Sequence, residues 1–124
     1  MKEKIKEFKK EYSKIRYICC PAFNNEKIYF NKHGLIHILR KGSRYRNPKD
    51  ILRRINFFPI VKVILSQERD IFEYRTTKIK NSFGQFWTIR MKTEFVCIKV
   101  VIRQLNNGSK HFFSVMGKQN TKSP

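Results

Sequence analysis

A change of hydrophobic period near residue 70 constrains the fold of this 124-residue chain more than any other feature. From there on, apolar and polar residues alternate in four segments, which predicts four β-strands. The expected strands cover residues 71–77, 85–93, 95–104 and 110–116. Short turn-forming stretches separate these segments, so consecutive strands are expected to form an antiparallel meander.

The chain before residue 70 has helical signals. Apolar residues at spacings of three and four predict an amphipathic helix over residues 1–16, which we expect to dock on the domain. These residues are Ile5, Phe8, Tyr12 and Ile15. Residues 27–31 then predict a short strand, and residues 33–41 a helical or turn segment.

A further helix is expected to start at Asn47 and Pro48, because the Asn side chain can cap it and Pro is tolerated in its first turn. Pro59 interrupts the apolar residues that follow, which predicts a pair of short helices or one kinked helix. Helices followed by strands predict one α+β domain over residues 1–116, with the N-terminal helices packed on one face of a four-stranded antiparallel sheet. Residues 117–124 are expected to form a loose basic tail.

The last hairpin suggests a site. Asn107-Gly108 predicts a two-residue type I′ turn, which would fix the strand register. One face of the hairpin is then apolar, while the other carries cations and a hydroxyl between apolar walls. The second face consists of Lys99, Val101, Arg103, Phe112, Ser114 and Met116. It suits either a phosphate-binding cleft or an ordinary solvated surface, and a one-residue bulge would exchange the two faces.

The formal net charge is +19, from 28 Lys and Arg against 9 Asp and Glu, and no carboxylate residue follows Glu94. Such a surface attracts phosphates, which favours nucleic-acid binding. With 40% hydrophobic and 14% aromatic residues, the chain can still bury a core, which excludes a disordered basic tail. Because it has no membrane-length apolar segment and no signal-like N-terminus, we expect a soluble protein that does not bind membranes and acts in the cytoplasm, whether alone or delivered within a larger effector.

Neither cysteine nor histidine spacing indicates a metal site. Cys19, Cys20 and Cys97 are odd in number, so reduced and mostly buried thiols are expected. His33 and His37 lie in a basic segment whose cations would oppose a bound Zn²⁺. We therefore expect neither metal nor cofactor.

His37 is the better candidate for proton transfer. Metal-free RNA cleavage needs a base, an acid and cations on the phosphate, and nearby positive charge keeps an imidazole neutral by lowering its pKa. If residues 33–41 are helical, Lys41 lies one turn away. His37 is therefore either a catalytic group or a half-buried structural residue. The predicted register places His111 on the face opposite Arg103, as a surface residue beside the turn.

Trp87, the only Trp of the chain, alternates with Ile89 and Met91 in its predicted strand. An aromatic residue in this setting is either part of the core or a platform on which a base stacks. We keep it as a secondary candidate for substrate binding.

Several segments occur in a recognisable order: Lys27-Ile-Tyr-Phe, then Gly34-Leu-Ile-His-Ile-Leu-Arg-Lys41, a Pro-interrupted helix, Val100-Val-Ile-Arg103, and Asn107-Gly-Ser-Lys-His-Phe-Phe-Ser-Val115. Over residues 27–116 this order resembles the BECR superfamily of small toxin nucleases, named after barnase, EndoU, colicin tRNases and RelE.

The resemblance implies a set of site residues. His37 would be the acid or base, Lys41 and Arg103 would bind phosphate, and Ser114 would donate or accept a hydrogen bond. Arg75, Arg90, Trp87 and Lys99 complete the candidate set as substrate-binding residues. No second acid or base is evident.

The resemblance also implies a function, namely a metal-independent endoribonuclease toxin. Such an enzyme would cleave tRNA or other cellular RNA by attack of the 2′-oxygen, leaving a cyclic phosphate. A cognate acidic immunity or antitoxin protein would neutralise it, and the free chain is expected to be a monomer. The alternative is a non-enzymatic RNA-binding or ribosome-associated protein. A DNA-binding protein is disfavoured, because no helix-turn-helix stands out.

Overall fold

A computed structural model gives the structure of residues 2–119, and within this range the chain is α+β, as predicted. The helices are α1 (Lys2–Ser13), α2 (Lys32–Leu39) and α3 (Pro48–Ser66), with a short 3-10 turn at Pro21–Phe23. The strands are β1 (Tyr17–Cys20), β2 (Glu26–Tyr29), β3 (Arg40–Lys41), β4 (Arg44–Tyr45), β5 (Glu73–Ile79), β6 (Ser82–Lys92), β7 (Val96–Leu105) and β8 (His111–Gln119).

The main sheet has six strands in the order β1-β2-β8-β7-β6-β5. Strands β5 to β8 form the predicted antiparallel meander. Strand β2 joins it in parallel to β8 through the pair Tyr29 and His111, and β1 pairs with β2. The predicted four-stranded antiparallel sheet is therefore only part of a mixed sheet. The sequence analysis missed β1 because it lacks the alternation of a half-buried strand.

Helix α3 supplies much of the core. It is one continuous helix that contains Pro59, and Asn47 caps it by accepting a hydrogen bond from the Asp50 amide at 2.8 Å. Its apolar side chains share a core with one face of β6 and β7. The fully buried members are Val61, Ile64 and Leu65 of the helix and Ile89, Ile98, Val100 and Ile102 of the strands.

Helix α1 docks on this core, as predicted. Phe8 and Tyr12 are buried and contact Phe58 of α3 at ring distances of 5.1 and 5.5 Å. The Tyr12 hydroxyl donates a hydrogen bond to the Asn31 carbonyl at 2.6 Å. This bond ties α1 to the residue that precedes α2.

Helix α2 lies very close to β8. A Cβ atom at Gly34 would come within 2.6 Å of both the Tyr12 hydroxyl and the Phe112 ring and carbonyl. The close approach therefore requires glycine. His33 and His37 are four residues apart on this helix, so both lie on the same side of it.

The last hairpin follows the predicted register only away from its turn. Val101 still pairs with Ser114, but the register shifts beyond this pair, so Arg103 pairs with His111. The turn also differs, because Asn106 has the positive φ of 51° and the Gly108 amide bonds to the Leu105 carbonyl.

The bulge exchanges the two adjacent phenylalanines. Phe112 is fully buried in the core beside Ile102, whereas Phe113 contacts Arg103 on the other face. The prediction that His111 and Arg103 lie on opposite faces of the sheet was therefore wrong.

Several further expectations concern the ends and the thiols. Strand β8 continues to Gln119, so residues 117–119 are not a loose tail, and residues 120–124 lie outside the described part. The three cysteines are free; Cys20 is buried, but Cys19 is exposed, contrary to expectation. None of the helices within residues 2–119 is long and apolar enough to cross a membrane.

Candidate functional site

The sheet face opposite the α3 core carries four cations, and we call it the cationic face. In the register of the meander, Arg103 lies opposite Phe86, which in turn lies opposite Arg75. Further along the same face, Arg90 and Lys99 are direct cross-strand neighbours. The predicted phosphate ligands of the strands are therefore brought together on one surface.

All three histidines of the chain gather at one end of this face, which we call the histidine end. Arg103 Nε donates a hydrogen bond to His111 Nε2 at 3.0 Å, and the ring of His33 lies 5.7 Å from that of His111. His37 packs on Phe113 at 4.3 Å, and the Arg103 guanidinium lies 4.5 Å from the centre of the same ring. The predicted pair of His37 and Arg103 thus lies on the same side of the molecule.

His37 is half-buried and held neutral. Burial, followed by the charges of Arg46, Arg54 and Arg103, lowers its pKa to about 4. Its Nδ1 is the one buried side-chain nitrogen or oxygen without a hydrogen-bond partner in the described part of the chain. A buried polar atom of this kind is rare in folded proteins and calls for an explanation, of which a catalytic role is one.

His111 has a different environment. It is 5% exposed, not a surface residue as expected, and burial and then Arg103 lower its pKa to about 4, against an opposing backbone hydrogen bond at Ser109. The neutral ring accepts the Arg103 hydrogen bond at Nε2, so this nitrogen is not free to take a proton from a substrate. His111 therefore orients the Arg103 guanidinium.

A partly buried ion network supports the histidine end, and the sequence analysis did not find it. Arg46 donates from Nε to the His37 carbonyl at 2.9 Å and from Nη1 to Asp50 at 3.2 Å, and Arg54 Nε donates to the same carboxylate at 3.2 Å. Burial alone would raise the pKa of Asp50, but the two arginines outweigh it and hold that pKa below its usual value. The spacing of four residues between these positions was the available signal.

Ser114 is not exposed on the cationic face. Its side chain is almost fully buried, and its hydroxyl accepts a hydrogen bond from Arg54 Nη1 at 3.2 Å. The same nitrogen donates to the Val115 carbonyl at 2.9 Å. Ser114 therefore positions Arg54.

Lys41 is also displaced from its predicted place. Helix α2 ends at Leu39, and Lys41 lies in β3 opposite Arg44, exposed to solvent. It is not one helical turn from His37. Arg46, whose charge does act on His37, replaces it there.

Trp87 lies on the core side of the sheet and not on the cationic face. Its ring contacts Phe23 and Tyr74, each at 5.5 Å, and the Lys110 ammonium lies 4.9 Å from its centre. The interpretation as a core residue therefore accounts for it.

The other end of the cationic face is more exposed, and we call it the open end; it consists of Arg90, Lys99 and Phe72. The Arg90 guanidinium lies 3.8 Å from the centre of the Phe72 ring, and the Lys99 ammonium lies 5.3 Å from it. Arg75 stacks similarly on Phe86 at 4.2 Å. Aromatic rings thus carry the cations of this face.

Within residues 2–119, no group of three His, Cys, Asp or Glu side chains is arranged to hold a metal ion. The histidines are gathered around a guanidinium instead, and this arrangement suits an anion. No family model, no curated protein and no solved structure matches this chain.

Proposed function

We propose that the chain is a metal-independent endoribonuclease whose reaction takes place at the histidine end, on tRNA or other cellular RNA. The observation that supports this most directly is the grouping of the three histidines on a face lined with cations: His111 bonds to Arg103, His33 lies beside His111, and His37 and Arg103 contact the same Phe113 ring. Bases, acids and a phosphate-binding guanidinium are the groups that RNA cleavage needs.

In the proposed reaction, neutral His37 takes the proton of the ribose 2′-hydroxyl. The 2′-oxygen then attacks the phosphorus, and the bond to the 5′-oxygen breaks. The leaving oxygen takes a proton from an imidazolium, so the products are a 2′,3′-cyclic phosphate and a free 5′-hydroxyl. Arg103 stabilises the charge that develops on the phosphoryl oxygens.

His33 is assigned as the acid, the partner that the sequence analysis lacked. It is exposed, lies on the same side of α2 as His37, and its ring contacts that of His111. Burial, Arg103 and Lys32 lower its pKa in the free protein. A bound phosphate adds negative charge and raises the pKa of both imidazoles, so that one of them can carry the proton.

Metal independence follows from the local charge. Arg46, Arg54 and Arg103 all act on His37, and three guanidinium groups repel a divalent cation. A metal-assisted reaction at this place would have to overcome that repulsion. Cleavage is therefore expected to persist in excess EDTA.

The test is incubation of the protein with total RNA in EDTA, followed by mapping of the new ends. His37→Gln, which keeps the size of the side chain but cannot transfer protons, is expected to slow cleavage by about 10²- to 10⁴-fold. RNA affinity should change less than about threefold. The matched control is Lys62→Gln, which removes a charge from the groove between α1 and α3, away from the cationic face.

If the parent chain binds RNA without cleaving it, the nuclease proposal is wrong. The second candidate, a non-enzymatic RNA-binding or ribosome-associated protein, would then be favoured. The open end supports that candidate, because its ring-stacked cations could bind phosphate without the histidines.

The proposal includes the wider setting that the BECR resemblance implies: a toxin acting in the cytoplasm, a monomer when free. A cognate inhibitor of a chain with a net charge of +19 should be acidic. It would cover the cationic face, associate rapidly and dissociate in high salt.

A further inference from the structure

We infer that the open end is a second phosphate subsite, which selects an extended single strand of RNA over a duplex. This inference rests on the proposed function, because it treats Arg103 as the ligand of the scissile phosphate. It adds a substrate class and a distance between two phosphates.

The positive charge of Arg90 and Lys99 is not compensated by an ion pair to any described residue. Arg90 and Lys99 are direct cross-strand neighbours, and like charges in that position destabilise a sheet. Neither residue makes an ion pair with any residue from 2 to 119. Arg90 and Phe72 line the same pocket as Glu68 and Asp70, but neither of these carboxylates comes within ion-pair distance of Arg90 or Lys99. An anion between the two side chains would remove their repulsion.

The distance between the two ends of the cationic face matches a short stretch of RNA. Lys99 lies four residues before Arg103 on β7, and Arg90 lies four residues after Phe86 on β6. Four residues of strand span about 13 Å. A stacked nucleic-acid strand covers that distance with about four nucleotides, at about 3.4 Å each, and an extended strand covers it with fewer.

The surface beside the cations of the open end carries exposed apolar side chains. Phe72 is 43% exposed and Met116 is 42% exposed, and Met116 pairs with Lys99 across β7 and β8. Exposed apolar side chains beside a phosphate ligand suit an unstacked base. A duplex keeps its bases paired and offers none.

The test is a binding measurement that needs no cleavage, so it can succeed or fail independently of the proposed reaction. The protein is the His37→Gln variant, and the probes are labelled single-stranded RNAs of about 2 and 8 nucleotides and a duplex of about 8 base pairs. Affinity is measured by fluorescence anisotropy at several salt concentrations. Arg90→Gln/Lys99→Gln removes the subsite. Lys78→Gln/Lys80→Gln removes the same charge at the β5–β6 hairpin.

Loss of the subsite is expected to weaken binding of the longer single strand roughly tenfold and to reduce its salt slope by about 1.4, the value for two phosphates of a single strand. Binding of the dinucleotide should be unchanged, because it cannot reach both ends. An equal loss in the Lys78/Lys80 double variant, an equal loss for the dinucleotide, or tighter binding of the duplex than of the single strand would each overturn the inference.

Discussion

The two ends of the cationic face hold positive charge in different ways. At the histidine end, Arg103 is oriented by a hydrogen bond from its Nε to His111, and Arg46 and Arg54 share the partly buried carboxylate of Asp50. At the open end, Arg90 and Lys99 rest on one exposed aromatic ring. Hydrogen-bonded groups keep a fixed geometry, which chemistry requires, whereas stacked cations can adapt to a flexible strand.

The largest expected effect comes from displacing α2 from β8, which should affect the histidine end and not the open end. Gly34→Ala places a methyl group against Tyr12 and Phe112. This overpacking should lower the free energy of unfolding by about 1–3 kcal/mol. RNA cleavage should be lost, while binding through the open end should remain. Urea unfolding and RNA binding measure the two effects.

The control for this variant is Ile36→Ala on the same helix, where the side chain is 47% exposed and little should change. A Gly34→Ala protein that is as stable as the parent and still cleaves RNA would show that the approach of α2 to β8 does not build the site.

The second expected effect, of intermediate size, is a loss of folding stability at acid pH. The folded-state pKa values of His37 and His111, each about 4, lie below the ordinary value of 6.5, so the unfolded chain binds more protons between these pH values. Their contribution to stability is complete above about pH 6.5 and is lost as the pH falls towards 4. Each proton contributes at most about 1.4 kcal/mol per pH unit.

Urea unfolding from pH 7 to pH 4 measures this loss. The His37→Gln/His111→Gln variant should lose most of the pH dependence of its free energy of unfolding. His33→Gln, a substitution at the surface, should keep most of it. The open end contains no histidine, so its variants should follow the parent curve. A parent stability that does not change over this range would contradict the burial of neutral imidazoles.

The smallest expected effect shows whether Lys41 or Arg46 is the cation that supports His37. Lys41 is exposed in β3, so Lys41→Gln should change the cleavage rate by less than about threefold. Arg46→Gln should cost more, because it removes the hydrogen bond to the His37 carbonyl and one partner of Asp50. Cleavage assays on a short RNA compare the two, and a reversed order would restore Lys41 to the site.

The meander could be predicted from the sequence because its signals are local. Alternation gave the strands, and Asn47 gave the start of α3 through a cap that the structure contains. The register of the last hairpin was correct at Val101 and Ser114 and wrong at Arg103. The single bulged residue is Phe113. Because its neighbour Phe112 is equally apolar, the alternation pattern does not show which of the two phenylalanines faces the core.

The supporting residues were harder to predict, because they depend on tertiary contacts. Nothing in the alternation of β8 indicates that Ser114 accepts a hydrogen bond from Arg54, sixty residues earlier. The helical spacing of Asp50 and Arg54 was visible, but such a pair is common on solvated helices. Burial turned that pair into part of a site.

The single parallel bridge between Tyr29 and His111 links segments that are far apart in the chain. The imidazoles around Arg103 come from α2 and β8, so they meet only when these two elements, which lie far apart in the chain, have packed together. Because β5, β6 and β7 pair with one another without α2, opening of the contact between α2 and β8 would separate the imidazoles while those three strands stayed paired.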